Sequence, residues 1–224
     1  VISLGQQKIT SIFPPIGEHN NIPTSPMNLC LCPLCGLIQL QETYEPDNIY
    51  KNGNYGYTSS ISNTMRNHLE QYNKEISSKV NLKTEDVVID IGSNDATFLK
   101  FYNNNIKKIG VDPTGEQFRD QYSNINLLAD YFTKEKFINK FGDIKCKIIT
   151  SICCFYDLPE PVKFAKDIYD ILSDDGVWSC EQSYLISMLK TNSLDTICHE
   201  HLEYYALTQV KNIADRTNFK IIDI

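Results

Sequence analysis

Between Val87 and Glu181 the chain alternates short apolar runs with stripes in which apolar residues recur every three or four positions. The runs at 87–91, 107–111, 125–129, 146–152 and 176–181 are nearly continuous in Val, Ile, Leu and similar residues, the pattern of strands buried on both faces. Helices are expected from about Thr97, after Pro113, over 133–140 and over 160–172. Such alternation predicts an α/β fold, a mostly parallel sheet covered by helices on both faces. Upstream, Met65, Leu69, Tyr72, Ile76 and Val80 form the apolar stripe of an amphipathic helix between Ser60 and Val80. Downstream, a helix from about Thr208 to Thr217 is followed by a strand from Phe219 to Ile224.

The first 50 residues behave differently. Pro14, Pro15, Pro23, Pro26, Pro33 and Pro46 interrupt any periodicity and predict short strands and turns. The division expected is a small irregular N-terminal lobe over 1–58 and a main domain over 59–224. A chain of 224 residues, 42% hydrophobic, can bury one core of ordinary domain size with a small appendage.

Charge narrows the partners. A net charge of −7 with scattered lysines argues against capture of a phosphate backbone, so no nucleic-acid partner is expected. No apolar run approaches the roughly 18–20 residues needed to span a bilayer, and the first residues lack a signal-peptide pattern, so no membrane partner is expected. Cys146, Cys153, Cys154 and Cys180 sit in or beside apolar strands, which suggests reduced thiols and a cytoplasmic protein.

In open parallel sheets ligands bind beyond the carboxyl ends of the strands. Gly92 to Asp95, Asp112, Asp130 and Cys153 to Tyr156 are therefore expected to line one crevice, with Asp90, Gly92, Ser93, Asn94, Asp112 and Asp130 as the candidate cofactor-binding residues. A dinucleotide loop needs three glycines so that backbone amides can close on a pyrophosphate. This loop has one, then Ser93, Asn94, Asp95 and Ala96, with an acid where phosphates would lie. That pattern favours a cationic, phosphate-free nucleoside, and S-adenosylmethionine, with its sulfonium, ammonium and ribose diol, meets the description. Asp112, 22 residues after Asp90 at the end of the second strand, is placed to accept the ribose hydroxyls, and Asp130 or Tyr131 to lie near the adenine.

Two further groups carry chemistry. Cys198-His199-Glu200-His201 concentrates imidazole and carboxylate in a chain with only four histidines, a composition suited to proton transfer near neutral pH. Consecutive residues cannot all face one side of a helix or strand, so at most two point into a cleft unless the segment is irregular. Cys32-x-x-Cys35 is half of a tetrahedral thiolate site, with Cys30 and His19 as completing ligands within the sequence.

The segments Leu31-Cys32-Pro33-Leu34-Cys35-Gly36-Leu37-Ile38-Gln39-Leu40, Tyr55-Gly56-Tyr57-Thr58-Ser59-Ser60, Asp90-Ile91-Gly92-Ser93-Asn94-Asp95 and Asp195-Thr196-Ile197-Cys198-His199-Glu200-His201-Leu202 occur in this order. Together they resemble the deoxysugar C-methyltransferases of nucleotide-sugar pathways; Glu181-Gln182-Ser183-Tyr184 resembles a subgroup. The resemblance implies a class I, Rossmann-like methyltransferase that moves a methyl group from S-adenosylmethionine to carbon, C3 being expected, of a nucleotide-linked 4-keto sugar. It implies His201 as base, Glu200 as an acid that orients it or contacts the sugar, Tyr57 as a hydroxyl supplied from the N-terminal lobe, and structural zinc at Cys32 and Cys35. It also implies a further Cys pair before Val1 and a second α/β domain after Ile224, the chain's own partner in binding sugar. Ala96 stands where the family commonly has glycine, tolerable on a helical backbone, and Cys198 where some members have tyrosine. The alternatives are sugar O-methylation, since the same base could take a hydroxyl proton, and a catalytically idle interaction domain of a larger protein.

Overall fold

The computed structural model describes residues 1–12, 14–18, 22–51 and 55–224. Contacts divide the chain into two compact units: Val1–Gly56 with Phe155–Val162 and Gln182–Ile224, and Tyr57–Cys154 with Lys163–Glu181. The C-terminal segment thus groups with the N-terminal residues and Tyr57 with the main sheet.

The second unit is built on strands β4 (Val87–Ile91), β5 (Lys107–Val111), β6 (Asn126–Leu128), β7 (Cys146–Ile152) and β8 (Leu172–Glu181). They form one parallel sheet in the order β6-β5-β4-β7-β8. Every residue of β4 is buried, Asp90 included, as its nearly continuous apolar run predicts. Helix α2 (Asn63–Ser78) begins at Ser62, whose hydroxyl accepts from the Met65 N–H. Its Leu69 and Ile76 enter a core with Val88, Phe98, Leu99, Tyr102 and Ile148. Helix α3 (Lys134–Phe141) is capped by Thr133, and α4 (Pro161–Ile171) opens on a proline whose missing N–H costs nothing there.

Three expected elements differ. After Thr97 only a 3-10 turn forms, at Leu99–Phe101. Asp95 accepts from the Thr97 N–H and hydroxyl, and the Asn103-Asn104-Asn105 run disfavours continuation. After Pro113 the segment Gly115–Gln121 is likewise 3-10, with a Glu116–Arg119 pair at the i,i+3 spacing that this geometry eclipses. Residues 219–224 form no strand; the segment has no ladder partner among the described residues.

The first unit carries an antiparallel sheet of β1 (Ile2–Lys8), β2 (Thr24–Leu31), β3 (Ile38–Leu40) and β9 (Glu203–Tyr204), in the order β1-β2-β3-β9. Its small core is Met27, Leu40 and Leu202. Short helices α1 (Asp47–Tyr50) and α5 (Leu185–Thr191) and the longer α6 (Leu207–Arg216) complete the unit. The pairing of Gln39 with Glu203 ties the histidine-bearing segment to the Cys lobe. No helix among the described residues is long and apolar enough to cross a membrane.

Candidate active site

In the second unit, the turn after β4 holds Gly92 at φ +78°, Asn94 at +48° and Ala96 at +60°. A Cβ on Gly92 would stand 3.1 Å from the Cys154 Cβ, so this position demands glycine on two counts. Ala96 is left-handed, contrary to the helical backbone expected, and that conformation costs roughly 1–2 kcal/mol for a residue with a Cβ. Its methyl is fully buried in the core, which offsets part of that cost.

Side chains brace the turn. Asn94 donates its backbone N–H to Asp112 Oδ2 at 2.7 Å, and Thr114 donates both N–H and hydroxyl to Asp112 Oδ1, each at 2.6 Å. Tyr122 donates to the Asn94 carbonyl and bonds Ser93 Oγ. The Asn94 side chain bonds the Tyr57 carbonyl and the Ser59 N–H, while Asp95 accepts from Ser60 and Thr97. Burial pushes the Asp112 carboxyl up against those hydrogen bonds; in Asp95 the bonds from Ser60 and Thr97 outweigh burial and hold it below the usual range. Asp90 is fully enclosed beneath the turn, where it accepts from the Thr150 hydroxyl at 2.7 Å, and burial pushes it up to about 7.

Asp90, Gly92, Ser93, Asn94 and Asp112 are therefore together at the ends of β4 and β5. Asp130 lies at the end of β6 in an ion pair with Lys136 at 2.7 Å. Three acids crowd one turn, and the cation reaching it, Lys100, bonds the Asp95 carbonyl. This donor set suits a sulfonium and ammonium and opposes a pyrophosphate, so the residues present fit S-adenosylmethionine. Tyr57 is about half exposed, and burial of the rest raises its phenol. The embrace of Asn94 and Asp95 by residues 57–60 is not legible in the sequence, because backbone donors carry no side-chain signature.

In the first unit, residues 198–202 are irregular, which removes the facing constraint of helix or strand. His201 Nδ1 donates to the Thr196 carbonyl at 2.7 Å, so the neutral ring keeps its lone pair on Nε2. Tyr156 packs edge-on against the imidazole at 4.4 Å. Burial lowers the His201 ring below its ordinary value, the Thr196 bond opposing. Glu200 is raised by burial, and Glu203 likewise, to about 8. His199 turns the other way: it is buried, with Nε2 at 3.3 Å from the Ser25 carbonyl.

One residue here escaped the sequence. Asp157, five residues beyond β7, accepts from the Tyr50 hydroxyl at 3.3 Å and is held well above the carboxylate range by burial and by Glu200. Its position after a strand end is the one signal that could have drawn attention to it.

Cys32 and Cys35 flank a tight turn closed by Gly36 N–H to the Cys32 carbonyl, 2.9 Å, with Gly36 at φ +71°. Backbone amides of Cys35 and Leu34 point at the Cys32 sulfur and lower its thiol. The turn fits two corners of a zinc site. Among the described residues no third Cys, His, Asp or Glu joins them; Cys30 lies on β2, and His19 is outside the described residues.

A sequence profile described as "Methyltransferase domain" matches residues 64–224, and one described as "Putative zinc binding domain" matches residues 1–50. The C-methyltransferase NovU of Streptomyces niveus is 24% identical over 204 residues, covering 89% of this chain; the chain spans about half, 48%, of that curated relative. Similar solved folds include the CurJ carbon methyltransferase, at TM-score 0.56 and 12% identity over 81% of this chain and 57% of that one. The mycolic acid cyclopropane synthase CmaA1, solved with SAH and CTAB, gives 0.54 and 14% over 75% and 68%. The acidic single-glycine turn, the five-stranded parallel sheet and the profile over residues 64–224 agree: this chain belongs to the methyltransferase domain family.

Proposed function

We propose that the chain methylates carbon, at C3, of a nucleotide-linked 4-keto deoxysugar. The observation that carries this reading is the His201–Thr196 bond: it presets a neutral imidazole with Nε2 as acceptor, what abstraction of a proton beside a ketone requires. The C-methyltransferase name of NovU supports carbon over oxygen as the acceptor.

When bound, S-adenosylmethionine supplies an electrophilic methyl on a sulfonium, and Gly92, Ser93, Asn94 and Asp112 would hold it, with Asp90 bracing the turn from below and Asp130 beside the adenine. His201 Nε2 takes the C3 proton, and the Thr196 carbonyl steadies the imidazolium that results. Glu200, whose carboxyl burial pushes above its ordinary value, orients the base or contacts the sugar. Tyr57, whose phenol stays protonated at neutral pH, is the hydroxyl assigned to the enolate oxygen. Cys32 and Cys35 would hold two corners of a structural zinc, which, once closed by four thiolates, would leave no open position for substrate.

The test is mass spectrometry and NMR of products from S-adenosylmethionine and dTDP- or GDP-linked 4-keto sugars, using the full protein. A C3-methylated product is expected. Methylation of oxygen alone would replace this reading with the O-methyltransferase; no product with any sugar would favour the interaction domain.

A further inference from the structure

The segment from Cys198 to Glu203 gathers more buried acid than its hydrogen bonds account for. Asp157 Oδ1, Glu200 Oε1 and Glu203 Oε2 are all buried without a hydrogen-bond partner among the described residues. The charges acting on Asp157 are Glu200 and Glu203, and those acting on Cys198 are Glu200 and Asp157; no Lys or Arg is among them. Converging acids without a basic counter-ion are costly, and a proton or a metal ion relieves the cost.

The donor set favours a metal of a definite kind. Ligand-capable atoms of Cys198, Glu200 and His201 lie within 4.8 Å of one another. Thiolate, carboxylate and imidazole together suit zinc and not the oxygen-seeking magnesium or calcium. The Thr196 carbonyl on Nδ1 is the outer contact that metal-bound histidines commonly make, and it leaves Nε2 as the donor atom. Tetrahedral zinc, with bonds of about 2.0–2.3 Å, would hold its ligands roughly 3.3–3.8 Å apart, inside the 4.8 Å that bounds the trio. The chain at 198–202 is in neither helix nor strand; its Leu202 end is tied to the Tyr156 carbonyl and the Leu40 N–H.

We propose that Cys198, Glu200 and His201 form a zinc-class cation site separate from the Cys32–Cys35 pair, and that filling it withdraws the His201 lone pair from proton transfer. The second half rests on His201 being the base. A metal-bound imidazole cannot accept a proton, so the filled enzyme would be idle until the ion leaves.

The test uses chelator-treated protein, zinc chloride, and iodoacetamide labelling followed at each cysteine by peptide mass spectrometry. Zinc is expected to slow labelling of Cys198 about tenfold or more, and Glu200→Gln and His201→Ala each to remove most of that protection while Cys32 and Cys35 behave as before. Circular dichroism and the zinc-free labelling rate of Cys198 report whether each variant is folded. Equal labelling of Cys198 with and without millimolar zinc, or protection that survives both substitutions, overturns the site and leaves protons as the neutralising charge. Methyl transfer measured alongside should stop with zinc and return with chelator. Protection of Cys198 without inhibition would leave the metal site standing and remove His201 as the base.

Discussion

Asn94 gives its backbone N–H to Asp112 Oδ2 at 2.7 Å, so the acid at the end of the second strand holds the turn at the end of the first. With Thr114 on the other oxygen, three hydrogen bonds already converge on this carboxylate. Asp112→Ala should therefore lose both a ribose acceptor and a brace. Calorimetry with S-adenosylhomocysteine should show affinity down by about 1–3 kcal/mol, and thermal melting should show lower stability as well. Undiminished affinity would remove Asp112 from the binding site whatever happens to stability.

The neighbouring glycine gives a prediction of stability alone. Gly92→Ala places a Cβ 3.1 Å from Cys154 in a backbone at φ +78°, and unfolding in urea should show a loss of roughly 1–3 kcal/mol. A midpoint unchanged from the parent would mean that the turn relaxes without cost.

Asp90 makes stability depend on pH. Its folded value of about 7 lies above the ordinary 3.8, so between these values the folded chain holds a proton that the unfolded chain has released. Stability contributed by this group is thus full below about pH 4, falls as pH rises toward 7, and stays reduced above. A shift of that size corresponds to a few kcal/mol at most, roughly 1.4 per pH unit. Asp90→Asn keeps the acceptor for the Thr150 hydroxyl and abolishes the titration. Urea unfolding at pH 5 and pH 8 should show a smaller difference in the variant and greater stability than the parent at pH 8. An identical pH slope in both proteins would show that Asp90 ionises normally.

The strands were readable because burial on both faces leaves nearly continuous apolar runs such as Val87–Ile91 and Cys146–Ile152. Helices α2, α3 and α4 were readable because their stripes pack on that sheet. The segments after Thr97 and Pro113 were not, since their side chains bond their own backbone and the turns tighten to 3-10. The strand expected at 219–224 shows the limit of alternation as a signal: it requires a partner edge, which the local sequence does not encode. The residues at the turn after β4 were legible as types at strand ends. The backbone of residues 57–60 that bonds Asn94 and Asp95, and the Thr196 carbonyl that bonds His201, were not, because backbone donors and acceptors carry no side-chain signature.

Zinc at the Cys32–Cys35 pair is testable by metal analysis of the full protein. Metal analysis there is expected to give one zinc bound through Cys32 and Cys35, lost on Cys32→Ser, because the amides of Leu34 and Cys35 already favour the thiolate at Cys32. Zinc content unchanged by Cys32→Ser and Cys35→Ser would assign the metal elsewhere in the chain.

The last prediction separates the base from the cofactor site. The His201 ring belongs to the irregular 198–202 segment, while the crevice is assembled from the ends of β4 and β5, so His201→Asn should keep its affinity for S-adenosylhomocysteine. Turnover should fall by roughly 10²–10⁴-fold, the usual contribution of a positioned base. Burial holds the parent ring neutral near physiological pH, so the proton-accepting form is present without further adjustment. In deuterated water, with a 4-keto sugar nucleotide and no methyl donor, the parent enzyme should exchange deuterium into C3 and the variant should not. Exchange in the variant at the parent rate would pass the role to another group, Tyr57 being the next candidate. No exchange in either protein, together with a product methylated on oxygen, would leave His201 activating a hydroxyl, and the enolate would have no part in the reaction.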